Sequence, residues 1–104
     1  MPEEFIYTPV GTLGAIVVNS SAGAATGETA VTAAPTLPAG HTAYYQTGAS
    51  ITLPSLDDII TGLPWSSFTN NQDYPAAAGD DFAVIYVDGA GKCKYAGKTT
   101  AVVA

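Results

Sequence analysis

The end of the chain constrains the fold more than any other stretch. Residues 82–87 (FAVIYV) and 92–96 (KCKYA) are two β-rich runs flanking Asp88-Gly89-Ala90-Gly91. Apolar, β-branched and aromatic runs bounded by a Gly/Asp turn predict a β-hairpin. Pairing Val87 with Lys92 sets Tyr86 opposite Cys93, Ile85 opposite Lys94 and Val84 opposite Tyr95. One face then collects Phe82, Val84, Tyr86, Cys93 and Tyr95, and the other Ala83, Ile85, Val87, Lys92 and Lys94. A single register sorts both strands. Extended further, it places Asp81 opposite Lys98 as a surface ion pair of small energetic weight.

Upstream the pattern stays short and extended. Residues 5–10 alternate Phe5, Tyr7 and Pro9. Residues 12–19 (TLGAIVVN) read as a strand closed by Asn19-Ser20-Ser21. Residues 20–30 (SSAGAATGETA) are small and polar and predict a loop or arm. Residues 31–36 predict a weak strand at a sheet edge, because Pro35 and Pro38 punctuate it. Residues 41–46 (HTAYYQ) predict a strand that turns at 47–50 and returns through 51–53 as a hairpin. The one helix signal is residues 55–62 (SLDDIITG). Ser55 can cap it, Asp57 and Asp58 suit its positive end, and Leu56, Ile59, Ile60 and Leu63 share a helical face. Residues 65–79 read as a loop pinned by Trp65, Phe68 and Tyr74.

At 104 residues the chain has room for one domain. The expectation is a single mainly β domain over residues 1–104. It would be a small sandwich or barrel with one short helix, and residues 1–40 would form an extended N-terminal arm lying on a neighbouring subunit.

Charge narrows the partners. Three lysines and no arginine stand against nine acids, for a formal net charge of -6. Binding nucleic acid or an anionic membrane needs clustered cations, so neither partner is expected. No run approaches the roughly 20 apolar residues of a membrane span. The acidic start, Met1-Pro2-Glu3-Glu4, is not that of a signal peptide, and the lone cysteine suits a reducing site of synthesis. Charged residues make up only 12% of the chain, while 47% is hydrophobic. A surface of Thr, Ser, Asn, Gly and Ala can be sealed against neighbours without burying ions, which is costly. A homo-oligomer follows as the expectation, with a trimer as the first choice.

No catalytic constellation emerges. His41 is the only histidine, and no Gly-x-Ser-x-Gly elbow surrounds any serine, so a small hydrolase built on His41 with Ser50, Cys93 or Asp57 is the weakest alternative. Cys93 lies between two lysines, but strand alternation aims it at the core. Asp80 and Asp81 point to opposite faces of a strand, and Asp88-Gly89-Ala90-Gly91 lacks the acids of a calcium loop. Gly97-Lys98-Thr99 lacks the upstream glycine of a phosphate loop. No cofactor and no metal are expected. The residues that suggest binding are aromatic: Tyr44 and Tyr45 on a strand, and Trp65, Phe68 and Tyr74 in the following loop.

The arm-like start (MPEEFIYTPVGTLGAIVVNSSAGAATGETAVTAAP) and the hairpin end (FAVIYVDGAGKCKYAG) together resemble the small accessory virion proteins of tailed bacteriophages, namely capsid decoration (cement) and head-fibre proteins. The resemblance implies a non-enzymatic structural protein. Made in the host cytoplasm, it would sit on the outer capsid surface of the virion and bridge copies of the major capsid protein. The alternative it leaves open is a receptor- or carbohydrate-binding virion module using Trp65, Tyr74 and residues 70–72.

Overall fold

The computed structural model describes residues 13–62 and 64–104. Among these residues there are eight strands: β1 (Gly14–Ala15), β2 (Val17–Ala22), β3 (Glu28–Ala34), β4 (Thr42–Gly48), β5 (Ser66–Ser67), β6 (Gln72–Pro75), β7 (Asp81–Val87) and β8 (Cys93–Thr100). They form a five-stranded sheet in the order β1-β8-β7-β4-β5 and a three-stranded sheet in the order β2-β3-β6. The two sheets pack face to face as an open sandwich. Of the two architectures expected, the barrel is not found, since neither sheet closes on itself.

Side-chain size explains the packing. The five-stranded sheet contributes large rings: Phe82, Tyr86, Tyr45 and Tyr95, with Val84 and Ala43 between them. The three-stranded sheet contributes Val18, Val31 and Ala33, with Tyr74 at its margin, and Ile16 joins them from the crossing between β1 and β2. Residues 20–30 look loop-like in sequence because they are small and polar. They form most of the β2–β3 hairpin, in which Ser20 pairs with Val31 and Ala22 with Thr29. Gly27, with φ +84°, turns the hairpin, and the Gly23 N–H donates to the Glu28 carbonyl at 2.9 Å. Thr29 is fully buried, with its hydroxyl bonded to Ser20 and to the Ser21 carbonyl at 3.1 Å. Residues 14–34 therefore belong to the sandwich rather than to an arm. Residues 35–40 form the bend and turn that lead from β3 to β4, and the first twelve residues of the expected arm, with the extended run 5–10, lie outside the described residues.

The terminal hairpin forms, in a different register. Val87 pairs with Cys93, and beyond it Tyr86 pairs with Tyr95, Ile85 with Ala96 and Val84 with Gly97. Lys94 is the extra residue of a β-bulge. The turn sets this offset. The Asp88 N–H donates to the Lys92 carbonyl at 3.0 Å, and Asp88 Oδ1 accepts the N–H groups of Ala90 and Lys92 at 2.9 and 3.0 Å. With 88 and 92 closed on each other, 87 must face 93. This offset puts Cys93 on the outer face, beside Ile85, Val87 and Ala96, and the bulge at Lys94 returns Tyr95 to the side of Tyr86. The Asp81–Lys98 ion pair does form, at 3.2 Å, although Asp81 pairs with Thr100 and Lys98 with Ala83.

Residues 41–53 do not make a hairpin. β4 is flanked instead by β7 and β5, both antiparallel to it. Ile51 is held by the Asp81 carboxylate, which accepts its N–H at 2.9 Å, and by Lys98, which donates to its carbonyl at 2.7 Å.

The expected helix at 55–62 is absent, for a physical reason. Asp57 sits at φ +68°, and the backbone of this segment bonds to the neighbouring hairpin. The Asp57 N–H donates to the Cys93 carbonyl, the Cys93 N–H to the Asp58 carbonyl and the Ile60 N–H to the Gly91 carbonyl, each at 2.8 Å. The Asp58 carboxylate accepts the Ser55 N–H as a turn rather than a helix cap. Of the supposed apolar face, Ile59 is exposed, Ile60 packs on the sheet, and Leu63 lies outside the described residues.

Candidate interaction surfaces

The aromatic residues singled out by sequence divide between the two sides of the larger sheet. Tyr45, Phe68 and Tyr74 come together with Phe82 in the intersheet core. Tyr45 stacks on Phe82 with ring centroids 5.2 Å apart, and Tyr74 lies 4.4 Å from Tyr45 and 5.5 Å from Phe68. Phe68 is buried, and the Tyr74 hydroxyl donates to the Thr69 carbonyl at 3.0 Å while accepting its N–H. Tyr44 and Trp65 lie on the opposite face, where with Leu13, Leu53 and Ile60 they cover Ile85, Val87, Cys93 and Ala96. The five residues do not share one surface.

Of the residues weighed for catalysis, His41 lies on the opposite side of the larger sheet from Cys93. The His41 ring bonds to the Ala39 carbonyl through Nδ1 at 3.1 Å and packs edge-on to Tyr95. Cys93 is buried on the other face, with Sγ 3.5 Å from the Tyr95 carbonyl. Desolvation, together with the nearby Asp58 carboxylate, pushes its thiol up to about 11, so at neutral pH it stays protonated. Among the described residues no three His, Cys, Asp or Glu side chains group so as to hold a metal.

Most of the described acids serve the local backbone. Asp73 accepts the Ala24 N–H at 2.9 Å, tying β6 to the β2–β3 turn. Asp81 is held below the usual carboxylate range by the Ile51 N–H and then by Lys98. Asp88 is lowered chiefly by the Lys92 N–H. Lys94 is raised by Asp57, with which it pairs, and Asp88 lies 3.8 Å away. These carboxylates therefore act as loop fasteners.

Two concave surfaces stand out among the described residues. A cleft of about 290 Å³ opens at the side of the sandwich, lined by Thr36, Leu37, Ala43, Phe68, Asn70 and Tyr86. Its polar groups are already engaged. The Tyr86 hydroxyl donates to the Pro35 carbonyl at 2.6 Å, and burial raises its pKa. The Asn70 amide accepts from the Ala33 N–H at 2.9 Å and donates to the Ala33 carbonyl at 3.0 Å, continuing the ladder of β3 where β6 leaves it. A shallower hollow of about 240 Å³ lies on the outer face of β2 and β3, among Asn19, Ser21, Ala30, Thr32 and Asn71. On that outer face Val17, Asn19, Ser21, Ala30, Thr32 and Ala34 are uncharged, while Glu28 at the start of β3 and Asp73 of β6 bring two carboxylates to one end of it.

The path of the chain is the last element of the geometry. β1 runs parallel to β8, with Gly14 beside Tyr95 and Ala15 beside Ala96. The described chain thus enters near the start of β8. It finishes beyond the other end, where residues 101–104 are bound to Gly79, Asp80, Gly27 and Glu28.

A family model described as the S-layer protein SbsC C-terminal domain matches residues 21–103. Two solved structures share the fold. The crystal structure of S-layer protein SbsC domains 7, 8 and 9 matches with a TM-score of 0.70 and 22% identity over 88% of this chain. The structure of surface layer protein SbsC domains 4–9 matches with a TM-score of 0.62 and 20% identity over the same share. The chain spans 27% of the first and 16% of the second. No curated protein matches the chain. These findings overturn the resemblance to phage accessory virion proteins. The cement role, its receptor-binding alternative, the trimer docked on a major capsid protein and the virion location all fall with it. The resemblance rested on low charge and β content, which describe any protein built to be surrounded by others. The chain belongs to the family of the S-layer protein SbsC C-terminal domain.

Proposed function

We propose that this chain is a structural, non-catalytic domain of a cell-surface layer. The observation that carries this reading is the family match across residues 21–103. The sandwich and its entry and exit at opposite ends support it, because such a domain can be strung with others along a chain. Its extent, about one part in four of a three-domain neighbour, suits a single unit of that kind. Low charge suits it too: a layer is a set of contacts repeated between many copies, and an uncharged patch such as Val17, Asn19, Ser21, Thr32 and Ala34, at the end of the face away from Glu28 and Asp73, can meet a neighbour with little desolvation of ions. The partly exposed rings of Trp65 and Tyr44, on the outer side of the larger sheet, are further candidates for such contacts.

The test is location and assembly. An antibody to this chain should label the outside of intact cells that encode it. Protein extracted from the envelope with denaturant should form ordered sheets, visible by electron microscopy, when the denaturant is removed. Recovery only from the soluble interior, with no ordered assembly, would overturn the reading.

A further inference from the structure

We propose that the short parallel pair of β1 and β8 is a load-bearing clamp that resists tension along the chain. The inference rests on strand geometry and stands whether or not the surface-layer reading holds. Tension on the two ends pulls β1 toward its N-terminus and β8 toward its C-terminus. Because the strands are parallel, these pulls are opposed along the strand axes, and the contacts between them are loaded in shear. The Gly14–Tyr95 and Ala15–Ala96 pairs and the bond from the Ile16 N–H to the Ala96 carbonyl (3.0 Å) must then yield together. A pair pulled apart from one end would instead lose its bonds one at a time.

Steric detail locks the clamp in one position. A Cβ on Gly97 would lie 1.9 Å from the Ile16 carbonyl oxygen, and one on Gly14 would lie 2.2 Å from the Tyr95 ring. Each glycine leaves room for a close approach that a side chain would fill. Sliding β1 toward its N-terminus carries the Ile16 carbonyl from Gly97 toward Tyr95, whose ring packs against the intersheet core on that side. The Ile16 side chain, 5% exposed, is anchored in the same core. The other strand cannot simply peel away. β8 is paired with β7 from Val87 to Asp81, and Ala101 continues that ladder through bonds to Asp80 (2.7 Å) and Gly79 (3.1 Å).

Single-molecule pulling on the full chain tests this in two directions. Handles fused to both ends load the clamp. Handles at Ala25→Cys and the C-terminus load the tail against the β2–β3 turn, where Gly27 and Ala104 are bonded, and peel that contact without shearing β1 from β8. Peak force in the end-to-end direction should exceed that in the second by about two-fold or more, since forced rupture follows the barrier in the pulled direction. Ile16→Pro removes the N–H that bonds Ala96, and should lower the end-to-end peak to the peeling level. Equal forces in the two directions overturn the proposal, as does a folded Ile16→Pro chain that keeps its full end-to-end peak. If Ile16→Pro does not fold, the two-direction comparison decides alone.

Discussion

The carbonyl oxygen of Ile16 occupies the space where a side chain at Gly97 would begin, 1.9 Å from an ideal Cβ. This contact joins the two sheets, because at Ile16 the chain passes from β1 in one to β2 in the other. The obstructing atom is backbone and cannot swing aside. Gly97→Ala should therefore destabilise the fold by about 3 kcal/mol or more, at the upper end of overpacking effects. Gly89→Ala, where the nearest atom is 3.9 Å away, should change little. Urea midpoints of the two variants give the comparison, and equal midpoints would refute the close approach.

A second prediction concerns Asn70, which stands in for a strand partner by bonding both backbone groups of Ala33. Ala33 is buried, so losing the amide leaves a donor and an acceptor poorly satisfied. Asn70→Ala should cost about 1–3 kcal/mol. The amide proton of Ala33 should also lose exchange protection before those of β7 do. Unchanged protection at Ala33 would count against the bridging role.

Phe82 is completely buried, with its ring parallel to Tyr45 at 5.2 Å. Phe82→Ala should cost about 3–5 kcal/mol, a large part of the 5–15 kcal/mol that typically holds a domain together. Val17, 61% exposed on the outer face, should accept Thr within about 0.5 kcal/mol. Thermal melts of the two variants separate core from surface.

The parts legible in the sequence are those whose side chains alternate strongly. Residues 82–87 stand out because every second residue is large and the whole run is apolar, which marks a strand buried on both faces. The β2–β3 hairpin is hidden because its inward residues are small. Val18, Val31 and Ala33 face rings from the other sheet, so bulk on one side replaces bulk on the other. The false helix at 55–62 has sound local signals, but three backbone bonds to Gly91 and Cys93 outweigh a two-turn propensity. The side of Cys93 follows from the Asp88 turn, which pairs Val87 with Cys93, while a bulge at Lys94 keeps Tyr95 with Tyr86, and strand alternation alone reveals neither. As for the candidate surfaces, the aromatic residues were visible by type, whereas their division between two faces follows from pairings of β4 with β5 and β7 that no local pattern encodes.

Acid stability should depend on Asp81 and Asp88. Both carboxyls are lowered in the folded state, mainly by backbone N–H donors, Ile51 for the first and Lys92 for the second. A lowered carboxyl stabilises the fold fully above its unfolded pKa, near 3.8, and the benefit is lost as pH falls through the folded value. The unfolding midpoint should thus fall as pH drops below about 4. Asp81→Asn and Asp88→Asn should each make that acid limb shallower while lowering the midpoint at pH 7. An acid limb unchanged in both variants would remove these carboxyls as its cause.

The alkaline limb has a different origin. Cys93 is fully buried, and its thiol titrates at about 11 in the folded chain against a reference of 9.0. Above the reference value the unfolded chain gives up a proton that the folded chain retains, so stability falls as pH rises through that interval and levels off beyond it. Two pH units of difference correspond to about 3 kcal/mol at about 1.4 kcal/mol per unit. Lys94, raised by Asp57, and Tyr86, raised by burial, lose their favourable states over an overlapping alkaline range, so the wild-type slope is a composite. Cys93→Ala isolates the thiol. It should cost about 1 kcal/mol at pH 7 through the small void it leaves, yet lose less stability than wild type between pH 9 and 11. Urea unfolding at four or five pH values across that range measures both slopes. Parallel slopes would mean that the thiol reaches solvent in the folded chain, and that the Trp65, Leu53 and Ile60 cover over this side of the sheet opens readily.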